Sequence, residues 1–102
     1  MLYDKSMKTT HISSKQLAEL YQAILQLKNV NECKKFFRDL CTLNELSAMT
    51  ERWQVAKLIE AGVPYREISV RTGSSTATIT RIAHWLQNGK GGYKLILKKL
   101  KH

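Results

Sequence analysis

The stretch from Tyr65 to Leu86, YREISVRTGSSTATITRIAHWL, decides the fold. It predicts two short helices around a tight turn, a helix-turn-helix. Ile68 and its neighbours make a first helix that stops at Gly73, a residue that tolerates the positive φ at which helices commonly end. Ser74 and Ser75 follow, and either hydroxyl can accept from the first free N–H groups of a second helix. There Ile79, Ile82, Ala83 and Leu86 recur at i, i+3, i+4, i+7 and form one buried stripe. At 3.6 residues per turn the opposite face carries Ala77, Arg81 and His84, flanked by Thr80 and Thr76.

That outward set holds no Glu, Asp or Lys. Small side chains let a helix approach a base edge closely. Thr can donate or accept, its methyl can touch the methyl of thymine, and Arg can pair with guanine or grip phosphate. The pattern therefore favours a helix that reads DNA. The competing interpretation is a Thr/Ala-rich helix packed on a partner protein.

The charge supports the first interpretation. Residues 1–61 carry nine Lys/Arg and seven Asp/Glu, while residues 62–102 carry eight and one, so +7 of the +9 net charge lies in the helix-turn-helix half. The only carboxylate side chain there is Glu67. Such asymmetry fits a polyanion footprint, with phosphate contacts supplying salt-sensitive affinity. Lys94, Lys98, Lys99 and Lys101 fit a solvated terminal helix equally well.

With 102 residues the chain makes one domain with a modest core, small enough to profit from a partner chain. No apolar run approaches the ~20 residues that span a bilayer, so no membrane partner is expected. No secretory signal is visible at the N-terminus. Cys33 and Cys41, at i, i+8, are expected as buried thiols on one helix, too far apart to pair. These features suit a reducing, cytoplasmic, nucleoid-associated setting.

In chain order, residues 1–12 lack periodicity and are expected as a flexible arm ahead of a single helical domain, 13–102. Ser13-x-x-Gln16 resembles a capping box, and Leu17, Leu20, Tyr21, Ile24 and Leu25 define a first helix to about Asn29. Asn31 can cap a second helix bearing Cys33, Phe36, Phe37, Leu40 and Cys41. Thr42-x-x-Glu45 opens a long third helix to about Ala61. It is expected to bury Leu46, Met49, Trp53, Val55, Ala56, Leu58 and Ile59, an arc wide enough to be sandwiched between neighbours. Pro64 starts the helix-turn-helix, which spans about 64–88. Gln87 to Gly92 reads as a flexible connection, and Tyr93, Ile96, Leu97 and Leu100 line the packing face of a last helix. The prediction is six helices, all α.

Enzyme chemistry finds no support. His11, His84 and His102 are scattered, and no Ser/His/Asp set, Gly-rich phosphate loop or acidic metal cluster can be assembled. Gly89, Gly91 and Gly92 follow no strand and form no dinucleotide fingerprint. No metal and no cofactor are expected.

From Thr42 to Leu100 the chain resembles the Trp repressor family, in its branch of uncharacterised Trp-repressor-related bacterial proteins. The residues that carry the resemblance are Thr42, Glu45 and Arg52, then Leu58-Ile59-Glu60-Ala61-Gly62 and Tyr65-Arg66-Glu67-Ile68, and above all Ala77-Thr78-Ile79-Thr80-Arg81. The resemblance implies an intertwined homodimer in which the N-terminal helices and the last helix interlock. It places DNA contacts at Arg66, Ser69, Thr76, Ala77 and Thr80, to which the helical wheel and charge add Arg81, His84 and Lys90. A dimer presents two reading helices to half-sites about one helical turn, ~34 Å, apart. The Trp repressor itself is a documented case of water-mediated base contacts, a mode that suits short hydroxylated side chains.

In the family, tryptophan's indole lies between two arginines, whose positions match Arg52 and Arg81, with Thr42 at a further pocket position. This sequence departs there. A family glycine is Ile82, and a serine that helps bind the ligand's amino group is Trp85. A branched side chain and a protein indole are expected to fill the ligand's space, so tryptophan is not the expected corepressor. Two options stay open: Trp85 fixes a DNA-competent spacing permanently, or another small molecule binds. Outside any pocket, Arg52 suits an ion pair and Arg81 a phosphate contact.

The function that follows is a dimeric, sequence-specific DNA-binding regulator, in keeping with the family a repressor. The alternative is a helical interaction module that takes a protein partner or binds nucleic acid non-specifically.

Overall fold

A computed structural model of the protein describes residues 12–101. His11, His102 and all of the expected arm but Ile12 lie outside the described residues. Among these, the chain is all α: α1 Ser14–Ile24, α2 Val30–Leu40, α3 Leu43–Glu60, α4 Tyr65–Thr72, α5 Thr76–Asn88 and α6 Gly92–Leu100. Two compact units divide between Leu40 and Cys41.

The first unit holds α1 and α2. Ser13 caps α1, its hydroxyl accepting from the Gln16 N–H at 3.3 Å. The helix ends at Ile24, earlier than the expected Asn29, and Gln26 and Leu27 tie back to the carbonyls of Ala23 and Ile24. The cause is the next cap. Asn29 Oδ1 accepts from the Glu32 N–H at 2.8 Å, and the Lys28 N–H donates to Glu32 Oε1 at 2.9 Å. Asn29, not Asn31, therefore caps α2, and it cannot also continue α1. Leu17, Leu20 and Ile24 of α1 and Cys33, Phe36 and Phe37 of α2 are half-buried, and no residue of either helix is buried. The adjacent rings of Phe36 and Phe37 meet edge to face, 5.6 Å apart. Cys33 and Cys41 are half-buried rather than buried thiols, and only Cys33 is helical, because α2 stops at Leu40 so that Thr42 can cap α3.

The second unit is built on α3. Thr42 and Glu45 form the expected capping box: Thr42 Oγ1 accepts from the Glu45 N–H at 3.1 Å, and the Thr42 N–H donates to Glu45 Oε1 at 2.8 Å. The wide apolar arc expected of this helix is sealed only towards its C-terminal end. Val55 and Ala56 are fully buried, Leu46, Trp53, Leu58 and Ile59 are half-buried, and Met49 is exposed. Helices α4 and α5 pack on α3 and on each other. They seal Val55 and Ala56 with Ile68, Ile79 and Ile82, while Leu58, Ile59, Val63 and Tyr93 close the margin. The stripe expected on α5 is observed: Ile79, Ile82 and Leu86 are buried and Ala83 is half-buried.

Pro64 is the N-cap of α4, with φ −61° and ψ 145°, and so stands just outside the first turn. The connection before α6 is shorter than the expected Gln87–Gly92. Helix α5 runs on through Gln87 and Asn88, and Gly89 lies so close to α5 that a Cβ there would strike the Trp85 carbonyl. In α6 Leu97 is buried and Tyr93 stacks on Trp53 with ring centroids 6.3 Å apart, whereas Leu95, Ile96 and Leu100 are exposed.

Truncating a side chain at the centre of this contact has a predictable cost. Ile79→Ala is expected to lower unfolding free energy by about 2–5 kcal/mol in urea titrations at fixed protein concentration. Val70→Ala, at 81% exposure, should change it by no more than about 0.5 kcal/mol.

Candidate nucleic-acid interface

The turn between α4 and α5 sets the geometry of the interface. Gly73 caps α4 in the left-handed region, φ 76°, and its N–H donates to the Ser69 carbonyl at 2.9 Å. The two serines that the sequence leaves interchangeable have different tasks. Ser75 is the N-cap of α5, its Oγ accepting from the Thr78 N–H at 3.1 Å. Ser74 is buried, 2% exposed. Its N–H donates to Thr72 Oγ1 at 3.1 Å, its carbonyl accepts from Ser69 Oγ at 2.7 Å, and its hydroxyl donates to Glu51 Oε2 of α3 at 2.5 Å. A turn buried without ladder partners must satisfy its polar groups with side chains, and these three do so.

Beyond that turn α5 presents Thr76, Ala77, Thr80, Arg81 and His84, all exposed, on the side away from Ile79, Ile82 and Leu86. Arg66 on α4 and Lys90 after α5 are exposed as well. Ser69 is half-buried, and its hydroxyl hydrogen is committed to the turn. His84 Nδ1 lies 3.4 Å from Asn88 Nδ2, and its ring meets Trp85 edge to face. Glu67 is paired with Arg71 one turn on, both side chains about half exposed, an arrangement of little energetic weight. Arg66, Arg81 and Lys90 make no ion pair with a described residue. The interface is cationic and hydroxylated, with its cations unneutralised.

A cleft of about 480 Å³ opens between α3, α5 and α6, lined by Ala48, Glu51, Arg52, Thr78, Arg81, Ile82, Trp85 and Tyr93. It brings together Arg52, Arg81, Ile82 and Trp85 of the expected effector pocket. Thr42 is not among its lining residues and is occupied as the cap of α3. Ile82 turns into the core, 3% exposed, and Trp85 forms a wall, 56% exposed. Both side chains line the cleft. On the other side of Trp85 a second hollow of about 580 Å³ is walled by Trp53, Tyr93 and Ile96. Among the described residues no three His, Cys, Asp or Glu side chains are grouped as metal ligands, and no helix is long and apolar enough to cross a membrane.

The bond from Ser74 to Glu51 has no counterpart in the sequence reading. The partners lie 23 residues apart, outside any helical period, and a serine after a glycine turn reads as a cap. Only the polarity of both residues, beside buried Ile68 and Ile79, could have hinted at it.

The profile of the Trp repressor protein family matches residues 15–101. The chain is 39% identical over 95 residues to the uncharacterised protein YerC of Bacillus subtilis (strain 168), covering 93% of this chain and 91% of YerC. A TrpR-like protein from Eubacterium eligens superposes with a TM-score of 0.83 at 36% identity, covering 96% of both chains. A protein from Staphylococcus aureus, solved as a candidate Trp repressor, gives the same TM-score at 43% identity, covering 93% of this chain and 95% of its own.

The turn's backbone yields a direct test. A Cβ on Gly73 meets no atom within 4 Å, so Gly73→Ala isolates the cost of the left-handed backbone. It should destabilise by about 1–2 kcal/mol in denaturant titrations, and Gly73→Asn should cost less.

Proposed function

The chain belongs to the Trp repressor family, and on that premise we propose that it is a sequence-specific transcriptional regulator. In this reading it binds two-fold-symmetric operators in double-stranded DNA as a homodimer and represses. The observation that carries the reading is the outer face of α5, where exposed Thr76, Ala77, Thr80 and Arg81 stand on a rigid backing of Ile79, Ile82 and Leu86. Thr76, Ala77 and Thr80 are short enough to reach base edges directly or through one water. Arg66, Arg81, His84 and Lys90 supply phosphate contacts that fix register, and the Ser69 oxygen retains lone pairs for an incoming donor.

Homodimerisation is supported by apolar surface that one copy leaves uncovered. Helices α1 and α2 carry amphipathic patterns without one buried residue, and α6 exposes Leu95, Ile96 and Leu100. Interlocked copies cover such faces and set two α5 helices ~34 Å apart. Free tryptophan is not the corepressor in this reading. Ile82 and Trp85 replace the family's glycine and ligand-binding serine, and the cleft beside Arg52 and Arg81 is left to another small molecule or to none.

The decisive experiment recovers fragments of sheared genomic DNA with the purified protein at near-physiological salt and sequences them. A small set sharing a two-fold-symmetric motif is expected; uniform recovery or none would overturn the proposal. On such a fragment Thr80→Ala and Ala77→Glu should each weaken binding by roughly 1–3 kcal/mol or more. Lys90→Ala and Lys94→Ala should instead weaken all sequences alike and flatten the salt dependence. Sedimentation should give the mass of two chains, and a clean monomer at micromolar concentration would remove the dimeric operator geometry.

A further inference from the structure

Ser74 is the only buried polar residue among those described, 2% exposed. Two of its three polar groups are satisfied locally, by Thr72 and Ser69 of α4. These bonds hold the shape of the turn but leave its placement on the rest of the protein open. The third bond, from Ser74 Oγ to Glu51 Oε2, crosses to α3. It is the one directional link between the turn and the long helix. The buried core that α4 and α5 share with α3 is apolar, built by Ile68, Ile79 and Ile82 on Val55 and Ala56, and apolar burial is non-directional. A hydrogen bond constrains distance and angle together, and one to a carboxylate is roughly twice as strong as a neutral one. Glu51 makes no ion pair with a described residue. Thr76, the first residue of α5, follows Ser74 by two positions, so movement of Ser74 carries Thr76, Ala77 and Thr80 with it.

We propose that Glu51 is a positioning residue for DNA reading, which through Ser74 fixes the start of α5 on α3. This rests on the DNA-binding function proposed above. It assigns a part in specificity to a side chain of α3 rather than to the outer face of α5 itself.

The test uses the full chain, an operator fragment recovered as described above, and the variants Glu51→Ala, Glu51→Gln, Ser74→Ala and the double alanine. Glu51→Ala and Ser74→Ala should each lower operator affinity about tenfold or more, since either leaves a polar group without its partner. Glu51→Gln should stay within about threefold of the parent, because its amide oxygen still accepts from Ser74. The double variant separates positioning from stability. With both polar groups gone, its urea midpoint should return towards the parent's, while its operator affinity should stay as low as that of either single variant. If affinity returns together with stability, or if Glu51→Ala binds like the parent, the proposal is overturned. A parent that binds no DNA specifically refutes the functional reading instead. Native-state hydrogen exchange then decides on the link: Glu51→Ala should speed exchange of the Ile79 and Thr80 amides more than that of Leu58, and an equal change at all three would overturn it.

Discussion

Burial of Ile68 and Ile79 against Val55 and Ala56 is the contact on which the C-terminal unit depends. All four side chains are fully removed from solvent, and they come from three different helices. Helices α4 and α5 span only eight and 13 residues. Isolated helices of that length are marginal in water, and packing of an apolar face supplies most of their stability. The helix-turn-helix is therefore held in shape by α3. That also explains why α3 can leave Met49 and its N-terminal half open: the half that matters is the one carrying Val55 and Ala56.

A core this small leaves other surfaces in need of cover. Among the described residues seven hydrophobic ones are buried, and all seven lie in α3 to α6. Helices α1 and α2 keep apolar stripes, and Tyr21, Leu25, Val30 and Leu40 are exposed. Amphipathic helices without a buried residue gain little from folding alone. The second copy in the proposed function covers these stripes as well as matching operator symmetry.

The sequence made the elements legible because local rules govern them. The Ile79, Ile82, Leu86 stripe, the Thr42–Glu45 box and the Gly73 stop each rest on residues at most seven positions apart, and each is observed. The departures come where two local signals compete. Asn29 and Asn31 both suit a cap, and the reciprocal bonds of Asn29 and Glu32 decide between them. Gly89 reads as part of a flexible connection until the nearness of the Trp85 carbonyl shows a close approach instead. Long-range polar pairing was not legible at all. Ser74 and Glu51 belong to no common period, so nothing in the chain's order distinguishes a cap from a strut.

The cleft shows the same division between what residue types and what geometry can say. Replacing a glycine and a serine by Ile82 and Trp85 suggests a filled pocket, because both side chains are larger. Ile82 is buried, Trp85 is exposed, and both line an opening of about 480 Å³. Arg81 belongs both to that opening and to the exposed surface of α5. One guanidinium cannot serve a molecule in the cleft and a DNA phosphate with the same N–H groups. Under the proposed function, an occupant that takes the N–H groups Arg81 offers to phosphate lowers DNA affinity, and DNA lowers the occupant's affinity by the same factor. In the proposed function Arg81 is thus the one side chain common to the cleft and to the face of α5 assigned to DNA.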